Sequence, residues 1–154
     1  MANSQGICTS FKTEILNGIH ALGTSVVRAA TTADSFKAAL YLASATTGVG
    51  NTAYTVTGEV SGTNYTAGGV DLTGAVDWVA PTSTGTTAFS TPTASIVYTN
   101  VTLATAFDAV MIYNSTQGNK AVSVHTFGSQ TVTAGTFTLT MPTNDATTGL
   151  LRLA

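Results

Sequence analysis

The side chains that could do chemistry in this sequence are few and far apart. Its 154 residues include two histidines, His20 and His125, and one cysteine, Cys8. Neither histidine has a second ligand four residues away, and a metal site needs three or four clustered ligands. Cys8 has no partner cysteine for a disulfide within the chain, so we interpret it as a small apolar residue. We therefore expect no metal site and no cofactor.

Two arrangements that could support hydrolysis have the wrong spacing. A serine-hydrolase elbow follows the pattern Gly-x-Ser-x-Gly, whereas residues 58–62 place Ser61 in the fourth position. Asp71 and Asp77 could form a carboxylate pair for glycoside hydrolysis. Gly74 lies between them and predicts a chain break, so we interpret both as solvated turn residues. The chain is therefore not expected to be an enzyme.

Nucleotide and nucleic-acid binding are not expected either. The glycine-rich segment 65–69 lacks the Lys-Ser/Thr end of a P-loop, and a turn between two strands explains it better. Trp78 is the single tryptophan, and with few cations nearby we expect it to fill a core or an interface rather than to stack on bases. Five basic and seven acidic residues give a net charge of −2, which argues against a phosphate-binding surface.

The composition is that of a folded domain with unusually few charges. Only 8% of the residues are charged, against roughly 25% in ordinary soluble domains. Hydrophobic residues make up 44% and threonine about one residue in five, which argues against disorder. Polar residues interrupt every apolar run before about 18 residues, so we expect no membrane span. The first six residues lack the pattern of a secretory signal. The length fits one domain, or one domain with an arm.

The N-terminal segment has the only clear helical spacing in the sequence. Residues 9–22 predict a short helix, with a capping residue at Thr9 or Ser10 and a stop at Gly23. A helix this short must bury its apolar stripe, either on its own domain or on a partner. The four stripe residues are the candidate interaction residues: Phe11, Ile15, Ile19 and Leu22.

From residue 36 onward the apolar residues alternate with polar ones, which is the period of a β-strand. The segment 107–113 is apolar on both faces and is expected at the centre of a sheet. The segment 80–94, with two prolines, is expected to be the longest loop. Predicted strands are 36–42, 54–60, 69–73, 75–79, 95–103, 107–113, 120–127, 136–141 and 149–153. Predicted loops are 44–52, 61–68, 80–94, 114–119, 128–135 and 142–148.

Eight or nine short strands of this kind predict an antiparallel sandwich or barrel. Of these we favour a mainly β, single-domain, antiparallel β-sandwich, jelly-roll-like, with a short N-terminal helix or arm. Residues 1–34 would form the arm and residues 35–154 the β-sandwich domain. Threonine suits such a fold because its branched Cβ fits a pleated surface and its hydroxyl group can face water.

The order of several segments along the chain carries a family resemblance. The opening segment reads Cys-Thr-Ser-Phe-Lys-Thr-Glu-Ile-Leu-Asn-Gly-Ile-His, and a later one reads Gly-Thr-Phe-Thr-Leu-Thr-Met-Pro. The matching segments in order are 8–20, 35–41, 54–69, 112–114, 119–122, 127–128 and 135–142, followed by the Leu-Leu-Arg-Leu end. This order resembles that of small virion structural proteins of tailed bacteriophages.

The resemblance implies a non-enzymatic virion protein, and it transfers no catalytic residue. The leading expectation is a capsid decoration or cement protein that bridges capsid subunits. The alternatives are a tail or tail-fibre protein that contacts the host and, from another class, a carbohydrate-binding β-sandwich module. The expected partners are the major capsid protein or other virion proteins, with no nucleic acid and no membrane. Low charge and high apolar content also favour a homo-oligomer, a trimer or a dimer. The expected location is the virion, after synthesis in the bacterial host cytoplasm.

Overall fold

The computed structural model of the protein describes residues 3–8, 11, 15, 19–20, 22, 33–85 and 87–154. Within these residues the chain forms eight β-strands and one 3₁₀ turn at Gly74–Val76. The strands are β1 (Gly6–Ile7), β2 (Phe36–Leu42), β3 (Val70–Leu72), β4 (Thr82–Thr84), β5 (Thr87–Ser90), β6 (Ile96–Asn114), β7 (Lys120–Leu139) and β8 (Leu151–Leu153).

The strands form two antiparallel sheets. The five-stranded sheet has the order β1-β7-β6-β2-β3, and the three-stranded sheet has the order β4-β5-β8. Every strand pair in both sheets is antiparallel. The prediction of a mainly β, antiparallel fold is therefore confirmed. Most of the predicted helix 9–22 lies outside the described residues, so the helix stays a prediction.

The longest feature of the fold is the hairpin of β6 and β7, and this hairpin bends back on itself. Phe127 and Phe137 are ten residues apart on β7, a distance of about 33 Å in a straight strand. Their ring centroids are only 5.4 Å apart. The Tyr98 hydroxyl of β6 likewise donates to the carbonyl oxygen of Ala38 at 2.8 Å, although Ala38 pairs with Ile112 in the sheet. The outer half of the hairpin therefore lies over the inner half.

The bend corrects the predicted strand boundaries. Strands 95–103 and 107–113 are parts of the single strand β6, and strands 120–127 and 136–141 fall mostly within β7. The predicted loop at 128–135 is therefore wrong. Register shifts interrupt the β6–β7 pairing, and Asn100 and Ala134 have positive φ angles of 52° and 44°. Such bulges let a strand bend without ending, so glycine and polar residues mark the bend rather than a loop.

Three other predicted elements differ from the structure. The segment 75–79 overlaps the 3₁₀ turn rather than a strand, because Gly74 has a φ angle of 60° that breaks the extended chain. The segment 54–60 takes part in one isolated bridge, between Glu59 and Tyr41, and forms no strand. The predicted long loop 80–94 contains β4 and β5, which pair through a turn at Gly85.

The core lies where the aromatic and aliphatic residues of these strands meet. The segment 107–113 lies on β6, the third of the five strands, and its predicted central place is confirmed. Trp78 is 1% exposed, and its ring packs edge-on against that of Phe36 with the centroids 5.8 Å apart. Trp78 is therefore a core residue. Phe107, Phe127 and Phe137 pack together inside the bent hairpin.

Residues 3–8 are hydrogen-bonded to the five-stranded sheet. Gly6 and Ile7 pair with Val124 and Ser123 of β7. The Asn3 side chain donates to the carbonyl oxygen of Leu42 at 3.0 Å and to the carboxylate of Asp108 at 2.5 Å. The boundary between an arm at 1–34 and a domain at 35–154 stays a prediction, although residues 3–8 contact the five-stranded sheet directly.

Candidate functional site

The most developed polar site surrounds the carboxylate of Glu59, which is 8% exposed. One carboxylate oxygen, Oε2, accepts a hydrogen bond from the Tyr54 hydroxyl at 2.6 Å. The other, Oε1, accepts from the Tyr65 hydroxyl at 2.7 Å and from the main-chain N–H of Gly68 at 2.7 Å. We call these four residues the Glu59 network. Charge-assisted hydrogen bonds of this length are stronger than neutral ones, which compensates for the burial of the carboxylate.

The other three tyrosines of the chain lie around this network. Tyr41 donates to the carbonyl oxygen of Thr55 at 2.5 Å, and Tyr113 donates to that of Gly68 at 2.8 Å. Tyr98 lies on the far side, where its ring stacks on that of Tyr65 with centroids 6.0 Å apart. Burial is the main cause that raises the pKa of all five tyrosines, and the pKa of Tyr113 reaches about 12. The hydroxyl groups therefore stay protonated at neutral pH and act as donors.

The glycine-rich segment 65–69 has a clear local role in this site. Gly68 and Gly69 both have positive φ angles, 93° and 75°, in the left-handed region that favours glycine. A Cβ atom on Gly69 would lie 1.7 Å from the carbonyl oxygen of Ala38. The two glycines thus allow the turn to lie against β2 and to present the Gly68 N–H to Glu59. The structure has a turn here, with the Gly69 N–H donating to the carbonyl oxygen of Thr66 at 2.9 Å. The turn leads into β3, but the segment before it is not a strand, so the predicted turn between two strands is only partly correct.

A second polar cluster connects the N-terminal segment to the turn after β6. The side-chain amide of Asn114 donates to the carboxylate of Asp34 at 2.8 Å and lies 3.0 Å from Nδ1 of His20. Gln117 donates to the other oxygen of the same carboxylate at 3.0 Å. Asn114 and Asp34 are both buried. The geometry explains His20 as part of a structural junction, and its ring also contacts that of Phe11 with centroids 4.6 Å apart.

His125 belongs to the only described pair that resembles a nucleophile with its base. Its Nε2 lies 2.9 Å from the Ser123 hydroxyl oxygen, and a cavity of about 700 Å³ lies beside the histidine. Ser123 is 0% exposed, so a substrate in this cavity does not reach the hydroxyl group. Burial lowers the pKa of His125 to about 4, which makes it a weak general base at pH 7. The pair is therefore poorly suited to acyl transfer.

The remaining candidate groups are separated from one another. Asp71 lies on β3 with its carboxylate 3.3 Å from the Lys37 ammonium group, whereas Asp77 accepts a hydrogen bond from the Trp78 N–H at 2.7 Å. Cys8 is buried, and its N–H donates to the carbonyl oxygen of Val122 at 3.1 Å. In the part of the chain that the structure describes, no three His, Cys, Asp or Glu residues are grouped as metal ligands. None of the helices in that part is long and apolar enough to cross a membrane.

Three of the four predicted interaction residues lie beside the three-stranded sheet. Phe11 is 1% exposed, and Ile15, Ile19 and Leu22 are half-buried. Phe11, Ile15 and Leu22 line an apolar cavity of about 50 Å³ together with Phe89 of β5 and Leu151 and Leu153 of β8. These three side chains thus contact the chain's own core. A contact of the same stripe with a partner stays a prediction.

The outer half of the hairpin exposes many of its side chains. On β7 the threonines Thr131, Thr133, Thr136 and Thr138 are exposed, and residues 121–139 contain no Asp, Glu, Lys or Arg. Val97 on the neighbouring strand is 43% exposed. The outer hairpin is therefore a large uncharged surface of short hydroxyl side chains and small apolar ones.

Glu59 and its tyrosines are not among the functional residues predicted from the sequence. Glu59 is the only charged residue between positions 38 and 70, and this isolation among tyrosines is the signal that could have identified it. No family model, no curated protein and no solved structure matches the chain. The residues and their geometry are therefore the basis for assigning a function.

Proposed function

We propose that this chain is a structural component of a tailed-phage virion, a capsid decoration protein that stabilises the shell by bridging neighbouring capsid subunits. The proposal includes a jelly-roll-like β-sandwich with a short N-terminal helix or arm, and assembly into a dimer or a trimer. Its partners would be the major capsid protein or other virion proteins, and its location the capsid surface.

The observation that carries the proposal is the uncharged surface of the outer hairpin. A decoration protein is packed against a shell and against many copies of itself, where like charges would repel one another. A net charge of −2 and a threonine-rich surface without carboxylates or ammonium groups suit that arrangement. Threonine hydroxyl groups can still donate and accept hydrogen bonds across a contact.

The polar groups inside the domain favour a structural function over a chemical one. The carboxylate of Glu59 accepts hydrogen bonds from Tyr54, Tyr65 and Gly68, all of which belong to the chain itself. The network ties the long segment between β2 and β3 to the sheet, so that a region with little regular structure becomes part of a rigid body. A rigid domain loses little conformational entropy when it binds a shell.

Quantitative mass spectrometry of purified virions tests the proposal. A copy number comparable with that of the major capsid protein is expected. A copy number far below it would favour the tail or tail-fibre alternative, and absence from the virion would overturn both. Particles from a phage that lacks the gene should be less resistant to heat, and added protein should restore the resistance. Binding to a glycan array together with absence from the virion would favour the carbohydrate-binding alternative.

A further inference from the structure

Among the described residues, the five-stranded sheet leaves part of one edge unpaired, on the side of β7 that faces away from β6. On that side β1 pairs with Val124 and Ser123, and the Cys8 N–H donates to the carbonyl oxygen of Val122 at 3.1 Å. The Gln5 side chain accepts a hydrogen bond from the Thr126 N–H at 3.2 Å. Farther along, no described residue pairs with residues 135–139 on that side. An unpaired strand edge presents a row of N–H and C=O groups that can bind another strand.

This part of β7 lacks the features that usually protect a sheet edge. Natural edges carry a lysine, a proline or an inward-pointing charge, or they are very short. Residues 135–141 comprise the last five residues of β7 and the two residues that follow it. They read Gly-Thr-Phe-Thr-Leu-Thr-Met and contain none of these. The edge strands β3, β4 and β8 are each three residues long, and β3 and β8 also carry a charged residue, Asp71 and Arg152.

The two faces of the segment differ in the way that pairing with a second copy requires. Thr136, Thr138 and Thr140 are exposed, whereas Phe137, Leu139 and Met141 are half-buried and pack against the core. When two identical strands pair antiparallel about a two-fold axis perpendicular to the sheet, equivalent faces lie on the same side. The threonine rows of the two copies would then be continuous, and so would the apolar rows.

We propose that residues 135–141 pair with the same residues of a second copy and thereby join the outer halves of two β6–β7 hairpins into one continuous four-stranded sheet. The segment is bounded by Ala134, whose φ angle is 44°, and by Pro142, which has no N–H to donate. Its midpoint is Thr138. In this register Thr138 faces Thr138, and Thr136 faces Thr140 on the solvent side. Phe137 faces Leu139 on the core side. Threonine pairs and aromatic–aliphatic pairs are both favourable across antiparallel strands.

The inference rests on the homo-oligomeric part of the proposed function, and it is tested on the purified full-length protein without virions. Failure of the strand pairing is therefore distinguishable from failure of the decoration function. Wild-type protein should sediment as a dimer, or as a multiple of dimers, in the micromolar range. A monomer under these conditions would overturn the inference.

Cysteine substitution tests the register directly. Facing residues on antiparallel strands have Cα atoms about 4.5–5.5 Å apart, which is within the range of a disulfide. Thr138→Cys should therefore cross-link to its own copy under mild oxidation. Thr84, on the edge strand β4, is also exposed, and Thr84→Cys is the matched control that should not cross-link. Cross-linking of the control alone would place the interface on the three-stranded sheet and overturn the inference.

Charged residues introduced at Thr138 give a second, independent test of the register. Thr138→Lys places two ammonium groups opposite each other, and we expect the dimer dissociation constant to rise about tenfold or more. Thr138→Asp should do the same, and an equimolar mixture of the two variants should recover the dimer. Because each variant changes an exposed side chain, the fluorescence of the buried Trp78 should be unchanged. A homodimer of Thr138→Lys as tight as that of the wild type would overturn the proposed register.

Discussion

Substitution of Glu59 is expected to lower the stability of the protein, and by different amounts for different replacements. Glu59→Ala leaves three donors without their acceptor, namely the hydroxyl groups of Tyr54 and Tyr65 and the N–H of Gly68. An unsatisfied buried donor costs about 1–3 kcal/mol, and the two hydroxyl groups can rotate toward other acceptors. We therefore expect Glu59→Ala to lower the free energy of unfolding by about 3–5 kcal/mol.

Glu59→Gln separates the geometry of the site from its charge. A glutamine can keep a carbonyl oxygen at the position of Oε1, where it still accepts from Tyr65 and Gly68. Its amide group then replaces Oε2, and the Tyr54 hydroxyl rotates to accept rather than donate. The expected loss is about 1–2 kcal/mol, because charged hydrogen bonds become neutral ones while the Tyr65 and Gly68 donors keep their acceptor.

Urea unfolding measures these changes, with Trp78 as the reporter. It is the single tryptophan and is 1% exposed, so its fluorescence changes when the core opens. Asp71→Ala is the matched acidic control, because the Asp71 side chain is 56% exposed and pairs with Lys37 at the surface. A surface ion pair of this kind predicts a loss of about 0.5 kcal/mol. An alanine variant at position 59 no less stable than this control would refute the reasoning. So would a glutamine variant as unstable as the alanine variant.

Three further predictions follow from the described residues. Because burial raises the tyrosine pKa values, with Tyr113 at about 12, the folded protein binds more protons than the unfolded chain above pH 10. Urea midpoints should thus be constant from pH 7 to about pH 9 and fall above about pH 10, and Tyr113→Phe should reduce the fall. His125 has its pKa lowered to about 4, so the unfolded chain binds more protons below about pH 6.5. Stability should fall by about 3 kcal/mol between pH 6.5 and pH 4, and a wild-type slope retained in His125→Phe would contradict this. Gly69→Ala should cost about 3 kcal/mol or more because its Cβ meets the carbonyl of Ala38, whereas Gly118→Ala, with a similar φ angle and open space, should cost about 1 kcal/mol by thermal unfolding.

The sequence was informative where local pattern decides the structure. The alternation of apolar residues identified β2 and the inner half of β7, since each buries one face or both. It failed at 128–135, because Gly128 and the polar residues after it are typical of a loop and of a β-bulge alike. Local pattern does not show whether a strand ends or bends. Only the packing of Phe127 on Phe137 decides that question here.

The gathering of the five tyrosines around Glu59 could not be predicted from the sequence, for a different reason. Its tyrosines lie at positions from 41 to 113, and they come together only through the pairing of β2 with β6 and through the turn at Gly68. No regular spacing of the tyrosines along the chain predicts such a cluster. The high threonine content of β7 could be read from the sequence. The unpaired edge proposed for self-pairing depends on the order of the strands in the sheet, which is a property of the whole fold.

The bent hairpin also has a consequence for the order in which the chain folds. Strands β6 and β7 are joined by the short turn between Asn114 and Lys120. Once this turn has formed, the strand pairs next to it can form first and the more distant pairs after them. Because the hairpin folds over itself, this single local event also brings the first aromatic residues of the core together. By contrast, β1 pairs with β7 across more than a hundred residues, and its loop-closure entropy is correspondingly larger. Contacts of low sequence separation form fastest, so the hairpin is expected in the folding transition state and the N-terminal strand is expected to join after it.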